Sequence, residues 1–142
     1  MYKILIVDDE KIERKGVSFL VKQMDVKCEL VEAVNGQAAL EYLQENQVDI
    51  LLTDVKMPHM DGIELIKQIK EKNINPGMKM VIISGFSDFE YAKLAVKMGV
   101  SDYILKPVDP REFEPTIKKI MDEIETEKLD KVLVEQSMSF VK

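Results

Sequence analysis

The sequence predicts an α/β fold: a doubly wound parallel sheet of five strands with helices on both faces. The first observation is an alternation of short β-branched apolar runs with longer stretches whose apolar residues recur every three or four positions. This alternation is typical of βαβ units, which build parallel sheets. The second is that the middle runs are almost entirely apolar, as expected of strands buried on both faces. Because 142 residues leave room for about one domain, a three-layer sandwich is the simplest arrangement.

The predicted strands span residues 4–7, 30–34, 49–53, 80–83 and 102–105. Between them, residues of the types that cap helices mark the helix starts. Asn35 can cap the second helix, and Asp61 with Glu64 three residues later has the form of a capping box for the third. The run Ser87-Asp88-Phe89-Glu90 has the same form and predicts the start of the fourth helix.

The start of the fifth helix is less regular in sequence. Asp109, Pro110 and Glu112 provide a cap, a proline at the first helical position and an early acidic residue. Pro115 conflicts with this start, because a proline inside a helix removes a backbone hydrogen bond and crowds the preceding turn. Two alternatives stay open: an irregular first turn after Asp109, or a regular helix that begins further along the chain.

The C-terminal residues differ from the rest of the chain. The apolar stripe expected to pack on the sheet consists of Ile117, Ile120, Met121 and Ile124. This stripe resumes only at Leu129. A helix over residues 116–134 would be about 28 Å long, against about 17–20 Å for a strand, so we expect it to overhang the sheet. We therefore divide the chain into a domain of residues 1–124 and a helical extension or linker of residues 125–142.

Composition narrows the functional classes. The chain has 26 acidic and 20 basic residues, and this acidic balance argues against nucleic-acid binding by the chain itself, because phosphate binding needs a basic face. The single cysteine, Cys28, excludes an internal disulfide and fits a reducing compartment. No signal peptide is visible, and no apolar stretch approaches the roughly 20 residues that cross a bilayer. We expect a cytoplasmic protein without membrane contact. No glycine-rich turn follows Val7, which excludes a nucleotide site of the Rossmann or P-loop type.

Polar residues follow four of the predicted strands, at the ends that share one edge of a parallel sheet. They are Asp8 and Asp9 after the first strand, Asp54 after the third, Ser84 after the fourth and Lys106 after the fifth. This edge is where doubly wound folds bind ligands. Converging carboxylates repel one another unless a cation lies among them, and carboxylates with waters and a phosphate favour Mg²⁺ over Ca²⁺. With an ammonium and a hydroxyl nearby, this set can hold a phosphoryl group beside a carboxylate nucleophile.

Four motifs in this order resemble the receiver domain of two-component response regulators. They are Ile4-Leu5-Ile6-Val7-Asp8-Asp9-Glu10, Asp54-Val55-Lys56-Met57-Pro58 with Met60-Asp61-Gly62, Ser84-Gly85, and Tyr103-Ile104-Leu105-Lys106-Pro107. The resemblance covers residues 1 to about 124. It implies a flavodoxin-like sheet with strand order 2-1-3-4-5 and a cis bond between Lys106 and Pro107.

The resemblance also implies the chemistry of the site. Asp54 would accept a phosphoryl group from a histidine of a sensor kinase, and Lys106 would contact the phosphoryl oxygens. Asp9, Asp54 and the backbone carbonyl of Lys56 would ligate Mg²⁺, and Asp8 would act through water. Such a domain supports its own phosphorylation and dephosphorylation and is a switch, not a turnover enzyme.

Two residues and one surface form the switch that the resemblance implies. Ser84 would move towards the phosphoryl group, and Tyr103 would turn inward when it does. This change would act on the face made by the fourth helix, the fifth strand and the fifth helix, through which the phosphorylated domain would form a homodimer. Four of the nine aromatic residues lie between residues 86 and 103, and exposed ones on the fourth helix would fit such a face.

The similarity to one subgroup of receiver domains predicts what the switch controls. The stretch from Ile83 to Ala92, with Ser101-Asp102-Tyr103, is similar to receivers fused to AraC-type helix-turn-helix DNA-binding domains. No recognition-helix pattern is visible after residue 124, so DNA would be bound only through an effector domain that this chain lacks. The alternative is a stand-alone phosphorelay receiver or protein-binding module without DNA output.

Two other interpretations receive less support from the residues. An aspartyl-phosphate phosphatase on a similar sheet would need an Asp-x-Asp arrangement after the first strand, where this chain has Asp8-Asp9-Glu10 followed by Lys11. His59, the only histidine, lies in a loop beside a proline, and we interpret it as a solvated residue and not as a phosphocarrier or metal ligand.

Overall fold

The computed structural model describes residues 1–85 and 89–140, in which five parallel strands alternate with helices. The strands are β1 (Tyr2–Val7), β2 (Cys28–Ala33), β3 (Ile50–Asp54), β4 (Lys79–Ser84) and β5 (Asp102–Leu105). The helices are α1 (Lys11–Lys22), α2 (Gly36–Glu45), α3 (Gly62–Glu71), α4 (Phe89–Lys97) and α5 (Pro110–Phe140). The strand order is β2-β1-β3-β4-β5, so the predicted doubly wound, flavodoxin-like sheet is confirmed.

Several strands extend beyond the apolar runs that predicted them. β1 begins at Tyr2, and β4 extends from Lys79 to Ser84, one residue further at each end than predicted. The reason is that ladder hydrogen bonds join backbones, so a polar residue pairs as well as an apolar one. As a result, Asp54 and Ser84 are the last residues of β3 and β4 and lie at the carboxyl edge of the sheet.

Alternate residues of the strands pack into two hydrophobic cores, one on each face of the sheet. One core joins Leu5 and Leu51 to the inner faces of α2, α3 and α4. The other joins Ile4 and Ile50 to α1 and to Ile117 of α5. This division follows from the period of two along a strand, which sends neighbouring side chains to opposite faces. With both faces covered, a polar site can form at the carboxyl ends of the strands.

Two of the predicted helix caps are confirmed. The Asn35 side chain accepts a hydrogen bond from the Ala38 N–H at 2.7 Å, and the Asp61 side chain accepts one from the Glu64 N–H at 2.8 Å. The predicted capping box at Ser87-Asp88-Phe89-Glu90 lies partly outside the described residues, and α4 is described from Phe89 onward.

Helix α5 begins at Pro110 and is continuous through Pro115, so the alternative of a later start is excluded. Asp109 caps it, because the Asp109 Oδ1 accepts a hydrogen bond from the Arg111 N–H at 2.9 Å. Pro115 lies on the exposed side of the helix. Because Arg111 is exposed as well, water can bond to the carbonyl that would have bonded to residue 115, which limits the cost of the missing bond.

The part of α5 after Lys128 extends past the sheet, as predicted. The helix has 31 residues and is about 46 Å long, more than twice the length of a strand. The Tyr2 hydroxyl donates a hydrogen bond to Glu125 at 2.8 Å, and beyond that point Leu129 and Leu133 are exposed. Within the described ranges, none of the helices has the length and apolar composition needed to cross a bilayer.

Candidate functional site

The carboxyl edge of the sheet brings together two of the predicted carboxylates and the predicted lysine. The Lys106 Nζ lies 3.1 Å from the Asp54 Oδ2 and 3.4 Å from the Asp8 Oδ2. The carboxylates come from the ends of β1 and β3, and Lys106 directly follows β5. The Lys106–Pro107 peptide bond that leads away from the site is cis, as the sequence resemblance implied.

Backbone contacts hold Asp54 in place. Its Oδ1 accepts a hydrogen bond from the Val55 N–H at 2.7 Å, and the Thr53 hydroxyl donates to its carbonyl at 2.9 Å. The start of α3 is held against the end of β3, because the Gly62 N–H donates a hydrogen bond to the Val55 carbonyl at 2.7 Å. The Asp54 side chain is 9% exposed. Because its Oδ1 bonds to the backbone, its Oδ2, which faces Lys106, is the oxygen that can react.

Helix α1 contributes two residues that the sequence prediction missed. The Glu13 Oε2 lies 2.5 Å from the Lys106 Nζ, closer than either aspartate. Arg14 is buried. Its guanidinium donates one hydrogen bond to the Asp8 carbonyl at 2.9 Å and another to the Glu32 carboxylate at 2.9 Å. The signal for Arg14 was its position on the apolar stripe of α1 with Val17 and Val21, where a charged residue needs a buried partner.

The charges in this site shift one another's pKa values. Burial raises the pKa of Asp54 to about 6, and the Asp8 charge adds to this rise while the Lys106 ammonium opposes it. Burial also raises the pKa of Asp8, although its hydrogen bond from the Glu10 N–H and the Lys106 charge oppose the rise. Burial alone would lower the pKa of Lys106, but the Glu13 contact and the two aspartates raise it above its ordinary value. Lys106 is therefore a permanent cation at neutral pH.

These values predict how Asp54 affects stability as the pH changes. Because its pKa is about 6 in the folded chain and ordinarily 3.8, the folded state binds the proton more tightly. The stabilisation that this provides is present below pH 4 and is lost as the pH rises to about 6–7. The difference in free energy of unfolding between Asp54→Asn and the wild-type chain should therefore grow by about 2–3 kcal/mol over this range, in favour of the variant. Urea titrations without divalent metal at each pH test this, and a constant difference would contradict it.

The donor set of the site fits a hard divalent cation. One carboxylate oxygen each from Asp8, Glu13 and Asp54 lie within 4.8 Å of one another. All the donors are oxygens and they are few, which suits Mg²⁺ completed by waters and a phosphate. Asp9 is exposed and lies outside this group of three among the described residues, and Lys56 is exposed two positions after Asp54. Their predicted roles as metal ligands stay predictions.

Ser84 and Tyr103 lie beside the site on β4 and β5. The Ser84 side chain is fully buried, and its hydroxyl has no hydrogen-bond partner among the described residues. Its carbonyl accepts a hydrogen bond from the Lys106 N–H at 2.8 Å, so the residue adjoins the lysine through the backbone. Tyr103 is half-buried and packs against the core formed by α2, α3 and α4. His59 is exposed, as predicted.

Comparison with known sequences finds one family and several relatives. Residues 4–118 match the response regulator receiver domain. The chain is 39% identical over 132 residues to the uncharacterized transcriptional regulatory protein YesN of Bacillus subtilis, covering 92% of this chain and 35% of YesN. It is 33% identical over 122 residues to the transcriptional regulatory protein HptR of Staphylococcus aureus, covering 85% of this chain and 47% of HptR. The chain thus spans less than half of the length of these curated relatives.

Solved structures with the same fold include two at more than 30% identity. The REC domain of AraT, a response regulator from Geobacillus stearothermophilus, has a TM-score of 0.79 and 36% identity, covering 89% of this chain and 98% of that chain. A two component transcriptional regulator AraC from Clostridium phytofermentans has a TM-score of 0.77 and 34% identity, covering 90% of this chain and 98% of that chain.

Proposed function

The chain belongs to the response regulator receiver domain family, and from this premise we propose that it is a phosphorylation-operated switch with Asp54 as the phosphoacceptor. Receiver domains of response regulators are phosphorylated by histidine kinases, so the proposed donor is a phosphohistidine of a sensor kinase. One observation carries the proposal. Asp54 ends a buried strand at the carboxyl edge of the sheet, and the Lys106 ammonium lies 3.1 Å from its carboxylate.

The contacts of Asp54 define its proposed reaction. An Asp54 oxygen forms the new O–P bond while the P–N bond to the kinase histidine breaks, and the electron pair returns to the imidazole nitrogen. Lys106 donates to the phosphoryl oxygens, where negative charge develops. Asp9, Asp54 and the Lys56 carbonyl would ligate Mg²⁺, and Asp8 would act through water. Bound there, the metal would supply positive charge that offsets the negative charge of the phosphoryl oxygens. The site would support its own phosphorylation and slow hydrolysis, without turnover of a separate substrate.

The function is tested by phosphoryl uptake from a small phosphodonor. The purified chain is incubated with acetyl phosphate, with and without Mg²⁺, and its intact mass is followed over time. We expect a single added phosphoryl group in the presence of Mg²⁺ and none after removal of the metal with a chelator. A wild-type chain that stays unmodified with Mg²⁺ would refute the proposal.

Mg²⁺ should also stabilise the unphosphorylated chain. Three carboxylates of its acidic cluster share the one Lys106 ammonium, so a bound cation adds attraction that the unfolded chain lacks. At a Mg²⁺ concentration about 100 times the dissociation constant, we expect about 2.7 kcal/mol of stabilisation. Thermal unfolding with Mg²⁺ measures this, with potassium chloride at equal ionic strength as the control. An unchanged midpoint at saturating Mg²⁺ would count against metal binding.

The proposed switch uses the hydroxyl of Ser84, which has no hydrogen-bond partner among the residues that the structure describes. A buried hydroxyl without a hydrogen-bond partner costs free energy, and a phosphoryl oxygen on Asp54 would provide an acceptor for it. Movement of Ser84 would leave room for Tyr103 to turn inward on the neighbouring strand. In this proposed sequence of events, phosphorylation rearranges the edge at β4 and β5.

The proposed output is homodimerisation through the face formed by α4, β5 and α5. Tyr91 and Leu94 of α4 and Leu105 of β5 are exposed apolar residues on elements of this face. We propose that residues 1–124 are the switch and that residues 125–142 lead towards a DNA-binding effector domain. The curated relatives, named as transcriptional regulatory proteins, are more than twice as long as their match to this chain. A stand-alone receiver is the alternative, and the length of the natural reading frame distinguishes the two.

A further inference from the structure

Three carboxylates share the Lys106 ammonium in the unphosphorylated chain. The Nζ atom lies 2.5 Å from Glu13, 3.1 Å from Asp54 and 3.4 Å from Asp8. An ammonium has three N–H donors, so these three acceptors use all of them. A phosphoryl group on Asp54 brings further acceptor oxygens and about −1.5 to −2 charge. For Lys106 to donate to it, at least one of the present contacts has to be given up.

Glu13 is the partner that can be released most easily. The side chains of Asp8 and Asp54 are 6% and 9% exposed and sit at the ends of strands in the middle of the sheet. The Glu13 side chain is 37% exposed and lies in the first turn of α1, so its carboxylate can turn into water with little desolvation cost. Its contact with Lys106 is nevertheless the shortest of the three.

We propose that Glu13 is a positioning residue that holds Lys106 while Asp54 is unmodified and yields it to the phosphoryl group. This inference rests on the proposed function of Asp54. It adds that Glu13 influences the equilibrium between the unphosphorylated and the phosphorylated chain. Glu13 stabilises the unphosphorylated state, in which its negative charge is paired with the ammonium. It destabilises the phosphorylated state, in which it loses that partner and faces the added negative charge.

The test is the affinity for beryllofluoride, which occupies the place of a phosphoryl group on a carboxylate. Wild-type chain, Glu13→Gln and Glu13→Ala are titrated in the presence of saturating Mg²⁺, and bound fluoride is followed by fluorine NMR. We expect both variants to bind beryllofluoride about threefold to tenfold more tightly than the wild-type chain. A loosened site would bind more weakly, so tighter binding is not explained by structural damage.

Glu64→Gln is the matched control. Glu64 occupies the same helical position in α3 that Glu13 occupies in α1, and its side chain contacts Gln68 at 3.1 Å. We expect this control to bind beryllofluoride as the wild-type chain does. Unchanged affinity in both Glu13 variants would overturn the inference. Weaker beryllofluoride binding together with weaker Mg²⁺ binding would also overturn it and would assign Glu13 to the metal. If the wild-type chain binds no beryllofluoride, the proposed function fails and this inference fails with it.

Discussion

The Asp54→Asn variant is expected to take up no phosphoryl group from a small phosphodonor under conditions in which the wild-type chain is modified. The substitution keeps the size of the side chain but replaces the charged nucleophilic oxygens with a neutral amide. We expect the initial rate of uptake to fall by at least about a thousandfold. The measurement is the intact mass as a function of time at equal protein, Mg²⁺ and phosphodonor concentrations.

Asp61→Asn is the matched control for this variant. Asp61 is also an aspartate at the carboxyl edge of the sheet, where its side chain caps α3. Because asparagine caps helices as well as aspartate does, the substitution removes one acidic charge without removing the cap. We expect the control to be phosphorylated as the wild-type chain is. Equal uptake by Asp54→Asn and the wild-type chain would contradict the assignment of the nucleophile.

The Gly62→Ala variant is expected to lose stability and phosphoryl uptake together. A Cβ atom at this position would lie 2.3 Å from the Asp54 carbonyl oxygen and 3.0 Å from the Val55 Cα. Both atoms belong to the backbone, so the start of α3 and the end of β3 have to move apart. We expect a loss of about 1–3 kcal/mol in the free energy of unfolding. A displacement of Asp54 by about 1 Å can reduce its reactivity about a hundredfold.

Gly16→Ala provides the comparison for this prediction. Gly16 lies within α1, and a Cβ atom there would have no neighbour within 4 Å. Because alanine is the better helix former, we expect this variant to be as stable as the wild-type chain or more stable by up to about 1 kcal/mol. In both variants, urea unfolding measures the stability and the intact mass measures phosphoryl uptake. A Gly62→Ala chain with wild-type stability and wild-type uptake would contradict the steric argument.

The strand ends were predictable from the sequence, and with them the main residues of the site. Asp8, Asp54 and Lys106 each lie at or directly after the end of a short apolar run, and parallel strands bring such ends to one edge. The order of the strands was not contained in the apolar pattern and came from the resemblance to a known family. The start of α5 could not be decided, because the cost of Pro115 depends on whether it faces water.

The residues that the sequence did not predict act through contacts between elements. Glu13 reaches Lys106 across 93 positions of the chain, and the local pattern around α1 contains no information about the end of β5. The requirement for Gly62 likewise depends on the approach of α3 to the Asp54 carbonyl. Periodicity predicts which face of an element is buried, but it does not predict which polar side chains of different elements meet.

The position of the phosphoryl group on the wild-type chain tests the central claim most directly. The chain is phosphorylated with acetyl phosphate and Mg²⁺, the acyl phosphate is trapped by borohydride reduction, and peptides are mapped by mass spectrometry. We predict that the modification lies on Asp54 and on no other residue. A reduced side chain at Asp8 or at any other acidic residue, with Asp54 unmodified, would contradict the account.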